Sequence, residues 1–143
     1  MKNILKLLPR GNKKLNHIKK LKPTKLKEDQ NFPEVFKDSI YFGEFSYHIG
    51  DDLLYQNIEF KDFKQSMCFI NNLAILADKV DHHPELFNVY NKVKVVFRTH
   101  DCDGTSLKDF FMAQAVDKLI AEVSKEERDY AEIVVEDWET FLD

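Results

Sequence analysis

DKVDHHPELFNVYNKVKVVFRTHDCDG, residues 78–104, joins the end of a helix pattern to the clearest strand pattern in the chain. Val93, Val95, Phe97 and Thr99 alternate with Lys92, Lys94 and Arg98, the period of two that a half-buried strand requires. Phe87–Tyr90 marks a shorter strand before it. Pro84 stops any helix arriving from upstream, because the residue before a proline is pushed out of helical dihedrals. Asp103-Gly104 is a turn signal that closes the stretch. His82, His83 and His100 therefore fall at element ends, where connecting segments carry function. Histidine can give and take protons near neutral pH, so the grouping points to acid–base chemistry.

Upstream, Phe63, Met67, Ile70, Leu73, Ala74, Ala77 and Val80 recur at spacings of three and four, which predicts one continuous apolar helix face. Asp62 caps it, with Gln65 at capping-box spacing. Cys68 and Ile75 lie away from that face and suggest a second contact surface. Before the helix, Tyr41, Phe45, Tyr47 and Ile49 share one parity across residues 39–49. Gly50-Asp51-Asp52 turns the chain into a second strand that carries Leu54, Ile58 and Phe60. Downstream, Ser106 and Asp109 have capping-box spacing for a helix that buries Met112, Val116, Leu119, Ile120 and Val123. Ser124 and Glu127 repeat that signature, and Tyr130, Ile133, Val134, Trp138 and Phe141 predict a third amphipathic helix. The order ββαββα gives an α+β fold: a four-stranded antiparallel sheet with helices packed on one face, plus an extra C-terminal helix. The expected divisions are a basic, disordered extension over 1–33, a compact domain over 34–123 and a helical extension over 124–143.

A chain of 143 residues with 43% hydrophobic content is one ordinary domain with modest extensions. No apolar run approaches the roughly 20 residues of a membrane span, and no apolar stretch follows the first lysines as a secretory signal would. Cys68 and Cys102 have neither metal-type spacing nor the look of a disulfide framework. A reducing compartment, and so the cytoplasm, is the expected location. The net charge of −4 hides an asymmetry: ten of the 21 basic residues lie in residues 1–27, which hold no acid. All 25 acidic residues follow, against the remaining 11 basic ones. Such an acidic body argues against direct nucleic-acid binding. The leader reads as a solvated arm, an organelle-targeting (mitochondrial) segment or an electrostatic tether. Its lysine-rich, arginine-poor character favours the arm.

Several site residues also have plain structural readings. Taken alone, an HHP triplet is more often structural than catalytic. Three histidines can hold zinc, yet neighbouring His82 and His83 point in different directions and no motif completes a ligand set. Asp109 is explained as the helix-cap partner of Ser106. Asp78 is either a solvated helix residue or, one turn before His82, an orienter of an imidazole. Cys102 reads as a small loop residue rather than a nucleophile. His17 and His48 have no neighbouring pattern.

The motifs Asp-His-His-Pro-Glu (81–85), Phe-Asn-Val-Tyr-Asn-Lys-Val (87–93) and Thr-His-Asp-Cys (99–102), with Phe60-Lys-Asp-Phe63 upstream, resemble the pterin-4a-carbinolamine dehydratase family in order and spacing. The resemblance covers about residues 40–120. Asp78 stands where the family usually has glutamate, and Leu86 where a tryptophan is common; both extensions exceed the family's compact domain. The resemblance implies dehydration of a 4a-hydroxytetrahydropterin to quinonoid dihydropterin and water, in tetrahydrobiopterin recycling, without a metal or organic cofactor. It implies catalytic His82, His83 and His100, with His82 and His100 in proton transfer and His83 orienting the pterin. Pro84, Thr99, Asp101 and Cys102 complete the implied pterin-binding set, and Asp78 and Asp109 hold imidazole tautomers behind it. It further implies a homotetramer built through helix contacts. Some family members stabilise dimers of a homeodomain transcription factor, so a non-catalytic pterin-binding or dimerisation-cofactor role is the rival expectation.

Overall fold

The computed structural model describes residues 14–25, 45–48 and 51–143. Its elements are α1 (Lys14–Lys20), β1 (Ser46–His48), β2 (Leu53–Glu59), α2 (Phe63–Val80), β3 (Glu85–Val89), β4 (Lys92–Phe97), α3 (Leu107–Val123) and α4 (Trp138–Phe141), with a 3₁₀ turn at His100–Cys102. The fold is α+β. The strands pair antiparallel in the order β1-β2-β4-β3, with the three-residue β1 at one edge. The start of the expected first strand and the loop at 31–34 lie outside the described residues.

Alternation sets the faces of the sheet. Leu54 and Ile58 of β2 and Val93, Val95 and Phe97 of β4 are buried under the helices, with Phe60 just past β2. Lys92 and Lys94 stand exposed on the other face. Asp62 caps α2 by accepting the Gln65 N–H at 2.9 Å, while the Gln65 side chain accepts the Lys61 N–H. The helix ends where Asp81 turns left-handed (φ 52°) and the His82 N–H reaches back to the Ala77 carbonyl at 3.0 Å, a C-terminal closure of the Schellman type. The histidine pair thus begins at a fixed point.

The buried face of α2 is rotated from the expected one. Cys68, Phe69, Asn72, Leu73, Leu76, Ala77 and Val80 are buried, whereas Phe63 is 37% exposed and Ala74 faces solvent. The cause is a second covering. The Cys68 side of α2 is a contact surface, as expected, but the chain's own C-terminal segment fills it: the Cys68 thiol lies 3.5 Å from the Glu132 carbonyl.

The expected third helix is not formed; between Ser124 and Asp137 the chain is irregular, and only Trp138–Phe141 makes a helical turn. Several backbone groups of residues 124–137 bond to α2 side chains, and the Glu132 N–H makes a turn bond to the Asp129 carbonyl. Asn71 donates to the Tyr130 carbonyl at 2.7 Å, and Asn72 donates to the Glu132 carbonyl at 2.8 Å while accepting the Val134 N–H at 3.0 Å. Buried Arg128 anchors the start of this strap by donating to the last α3 carbonyls, Glu122 at 2.6 Å and Val123 at 3.3 Å, and pairs with Glu132.

The basic leader also departs from expectation within residues 14–25. Helix α1 docks on the helical layer, with Ile18 fully buried and Leu15 and Leu21 packed beside it. Spacing of three residues gives these three side chains one stripe, and burying Ile18 alone contributes about 2 kcal/mol. The Glu139 carboxylate accepts the N–H groups of Lys14 and Leu15, each at 2.9 Å, where the helix dipole favours an anion. Lys14, itself buried, pairs with Asp143. Helix α1 and the C-terminal segment therefore clasp each other, and most of α3 is buried.

Asn72 is the hinge of this covering. Asn72→Ala leaves the Val134 N–H without its partner and the Glu132 carbonyl with only the weak Cys68 thiol donor, and should lower the unfolding free energy by roughly 2–3 kcal/mol. Urea denaturation checks this; a change below about 0.5 kcal/mol would show that the strap contributes little.

Candidate functional site

Strand β4 carries its inward parity past its end. Phe97 and Thr99 point to the same side as Val95, toward the N-terminus of α3. There the Ser106 backbone N–H donates to Asp109 Oδ2 at 2.8 Å, closing a capping box. The same carboxylate oxygen accepts the Thr99 hydroxyl at 2.8 Å, and the Thr99 and Ser106 hydroxyls are 2.5 Å apart. Asp109 Oδ1 lies 2.6 Å from His82 Nε2. Asp109, Ser106 and Thr99 are all buried, and His82 is only 8% exposed.

Burying a carboxylate without partners costs several kcal/mol. Here two donors on Oδ2, the His82 ring on Oδ1 and the first turn of α3 offset that cost. The His82 ring is also stacked on Phe97, with centroids 6.1 Å apart and planes 11° from parallel. A carboxylate bonded to Nε2 places the ring proton on that nitrogen, leaving Nδ1 to accept. Among the described residues Nδ1 has no hydrogen-bond partner. This histidine is held in place, tautomer and tilt.

His83 is exposed, with its Nε2 2.7 Å from Asp78 Oδ1 on the last turn of α2. Asp78 thus orients His83, the neighbour of the histidine one turn along. His100 opens the 3₁₀ turn directly after Thr99 and is exposed, as is Asp101. Pro84 is half-buried between His83 and β3. Burial pushes the Cys102 thiol up, and the nearby Asp109 carboxylate adds to the effect; its sulfur is 3.5 Å from the Thr99 carbonyl. A thiol so placed is a poor nucleophile near neutral pH. Among the described residues no three His, Cys, Asp or Glu side chains are grouped as metal ligands would be. An open cleft lined by Asp62, Phe63, Tyr90, Arg128 and Glu132 lies at the opposite end of α2 from these histidines.

The structure thus joins His82 to Asp109 and Thr99, and His83 to Asp78. His100 follows that network in sequence but stands outside its hydrogen bonds. Ser106 and Phe97 belong to the site as well. In the sequence Ser106 reads as a helix cap and Phe97 as a strand residue; the signal for more is the shared parity of Phe97 and Thr99, running straight into the cap.

The family model for pterin 4 alpha carbinolamine dehydratase matches residues 44–119. A Novosphingobium aromaticivorans protein named "Putative pterin-4-alpha-carbinolamine dehydratase" is 48% identical over 65 residues, covering 46% of this chain and 68% of its own. The crystal structure of a transcriptional coactivator/pterin dehydratase from Brucella melitensis superposes with a TM-score of 0.56 at 31% identity, over 61% of this chain and 93% of that one. With more than half its length matched, the histidine-bearing domain included, the chain belongs to the pterin-4a-carbinolamine dehydratase family.

Proposed function

We propose that the chain dehydrates a 4a-hydroxytetrahydropterin to quinonoid dihydropterin and water, as a step in tetrahydrobiopterin recycling. The observation that supports this best is the buried His82–Asp109 pair at the root of a segment bearing two exposed histidines. Hydroxide is a poor leaving group. An acid must donate a proton to the 4a oxygen as the neighbouring ring nitrogen's lone pair breaks the C–O bond and releases water. A base then takes a proton from the cationic product. His82, through Nδ1, and His100 carry these transfers, each worth about 10²–10⁴-fold. Asp109 offsets positive charge on His82 while the ring holds the extra proton. His83, steadied by Asp78, binds and orients the pterin together with Pro84 and the Thr99, Asp101 and Cys102 loop. Neither a metal nor an organic cofactor takes part.

The Brucella relative's name joins a coactivator to a dehydratase, which keeps a protein-binding role as the second reading. The assembly proposed is a homotetramer. Its contacts lie elsewhere than on the Cys68 side of α2, which the chain's own C-terminal segment fills.

Purified protein should accelerate 4a-carbinolamine dehydration with chelator present, followed by the absorbance of the quinonoid product. A rate no faster than the spontaneous one would favour the protein-binding reading, and zinc-restored activity would overturn the metal-free scheme.

His82→Ala and His100→Ala should each lower kcat by about 10²-fold or more with little change in pterin affinity. His83→Ala should instead raise KM, because an orienting contact is made in the ground state too. Asp109→Asn, which keeps the helix cap but swaps a carboxylate for an amide, should lower kcat by about tenfold. Full activity in the His82→Ala, His100→Ala double variant would end the proposed mechanism.

Light scattering at micromolar concentration should give close to four times the 16.9 kDa chain mass. A monomer mass would exclude the tetramer.

A further inference from the structure

The loop that carries His100 is one turn, braced from within by the Arg98–Asp103 pair and by the Cys102 thiol beside the Thr99 and Gly104 carbonyls. A single 3₁₀ turn has poor hydrogen-bond geometry, and here it consists of Cys102 N–H to Thr99 carbonyl and Asp103 N–H to His100 carbonyl, both 3.2 Å. The loop is closed at its root, where the Thr99 N–H donates to the Gly104 carbonyl at 2.8 Å and the Gly104 N–H returns to Thr99 at 3.3 Å. Two side chains from distant parts of the sequence converge on that root. A Cβ on Gly104 would lie 3.3 Å from Lys25 Cε and well inside contact distance of Asp52 Oδ2. Gly104 is therefore glycine because other groups press on its α-carbon. Asp52 comes from the β1–β2 turn and is buried in a left-handed conformation. Lys25 lies five residues past the end of α1, and α1 is held by Glu139 and buried Ile18.

We infer that Lys25, carried by the basic N-terminal segment and seated with Asp52 against Gly104, is a positioning residue for the His100 loop. The extension is then a working part of the site: anchored at α1, it lays the lysine stem along the loop root and limits how far His100 can swing. This rests on the proposed role of His100 in proton transfer. Misplacing a reacting group by about 1 Å can cost as much as 10²-fold, and a loosened loop should cost part of that.

The test uses the full chain and two variants. Lys25→Ala removes the stem, whereas Lys25→Met keeps most of it and removes only the charge. Amide hydrogen exchange at Asp103 and Gly104 is measured without substrate, and kcat and KM are measured with the 4a-hydroxytetrahydropterin. Lys25→Ala should speed exchange at these two amides about fivefold or more while leaving α2 protected, and lower kcat by about three- to tenfold with KM within twofold. Lys25→Met should restore both readouts. Unchanged exchange in Lys25→Ala would overturn the inference, as would a loss of protection throughout the chain, which marks a merely structural role. If the unaltered chain proves to have no dehydratase activity, the functional reading falls and the exchange measurement alone decides whether Lys25 positions the loop.

Discussion

A buried carboxylate organises this molecule. Asp109 is fully enclosed, and every partner that makes its burial tolerable comes from a different structural feature. Ser106 supplies the cap of α3, Thr99 the end of β4, and His82 the segment just past α2. Removing the carboxylate would loosen three elements at the point where they meet. The constraint that orients His82 is thus also a tertiary constraint on the sheet and on both long helices. Stability and site geometry are coupled here, because the groups that satisfy Asp109 are the groups that fix the histidine.

Much of this was legible in the sequence where local chemistry and tertiary structure agree. The alternation through Val93, Val95, Phe97 and Thr99, the stop at Pro84 and the caps at Asp62 and Ser106 each specify one local geometry, and the structure keeps all of them. The segments that misled are those in which the backbone bonds to side chains far away in sequence. Tyr130, Ile133 and Val134 have helical spacing, but the Tyr130 and Glu132 carbonyls and the Val134 N–H belong to Asn71 and Asn72. Periodicity cannot see such a partner. In the leader, charge concealed the stripe of Leu15, Ile18 and Leu21, and no composition reveals that Glu139 waits to cap the helix. At the site, Asp109 was legible as a cap, whereas its bond to His82 depends on how β4 and α2 come together.

The extensions change how the family's compact domain is presented. Strap and leader cover the helical layer, bury Cys68 and clasp one another through Glu139 and the Lys14–Asp143 pair. On the opposite side of the sheet Lys92 and Lys94 remain exposed, and Phe87, Val89 and Tyr90 stand out along the β3–β4 hairpin. The histidine segment meanwhile keeps its connection to β4 and α3 through Asp109.

Asp109 fixes the His82 ring with its proton on Nε2 and leaves Nδ1 to accept. Nitrogen NMR of the ¹⁵N-histidine-labelled protein, at a pH where the ring is neutral, tests it most directly. A protonated Nε2 and an imine-type Nδ1 for His82, with that preference weakened or lost in Asp109→Ala, is the predicted result. A protonated Nδ1 in the unaltered protein, or the same tautomer preference with and without Asp109, would contradict it.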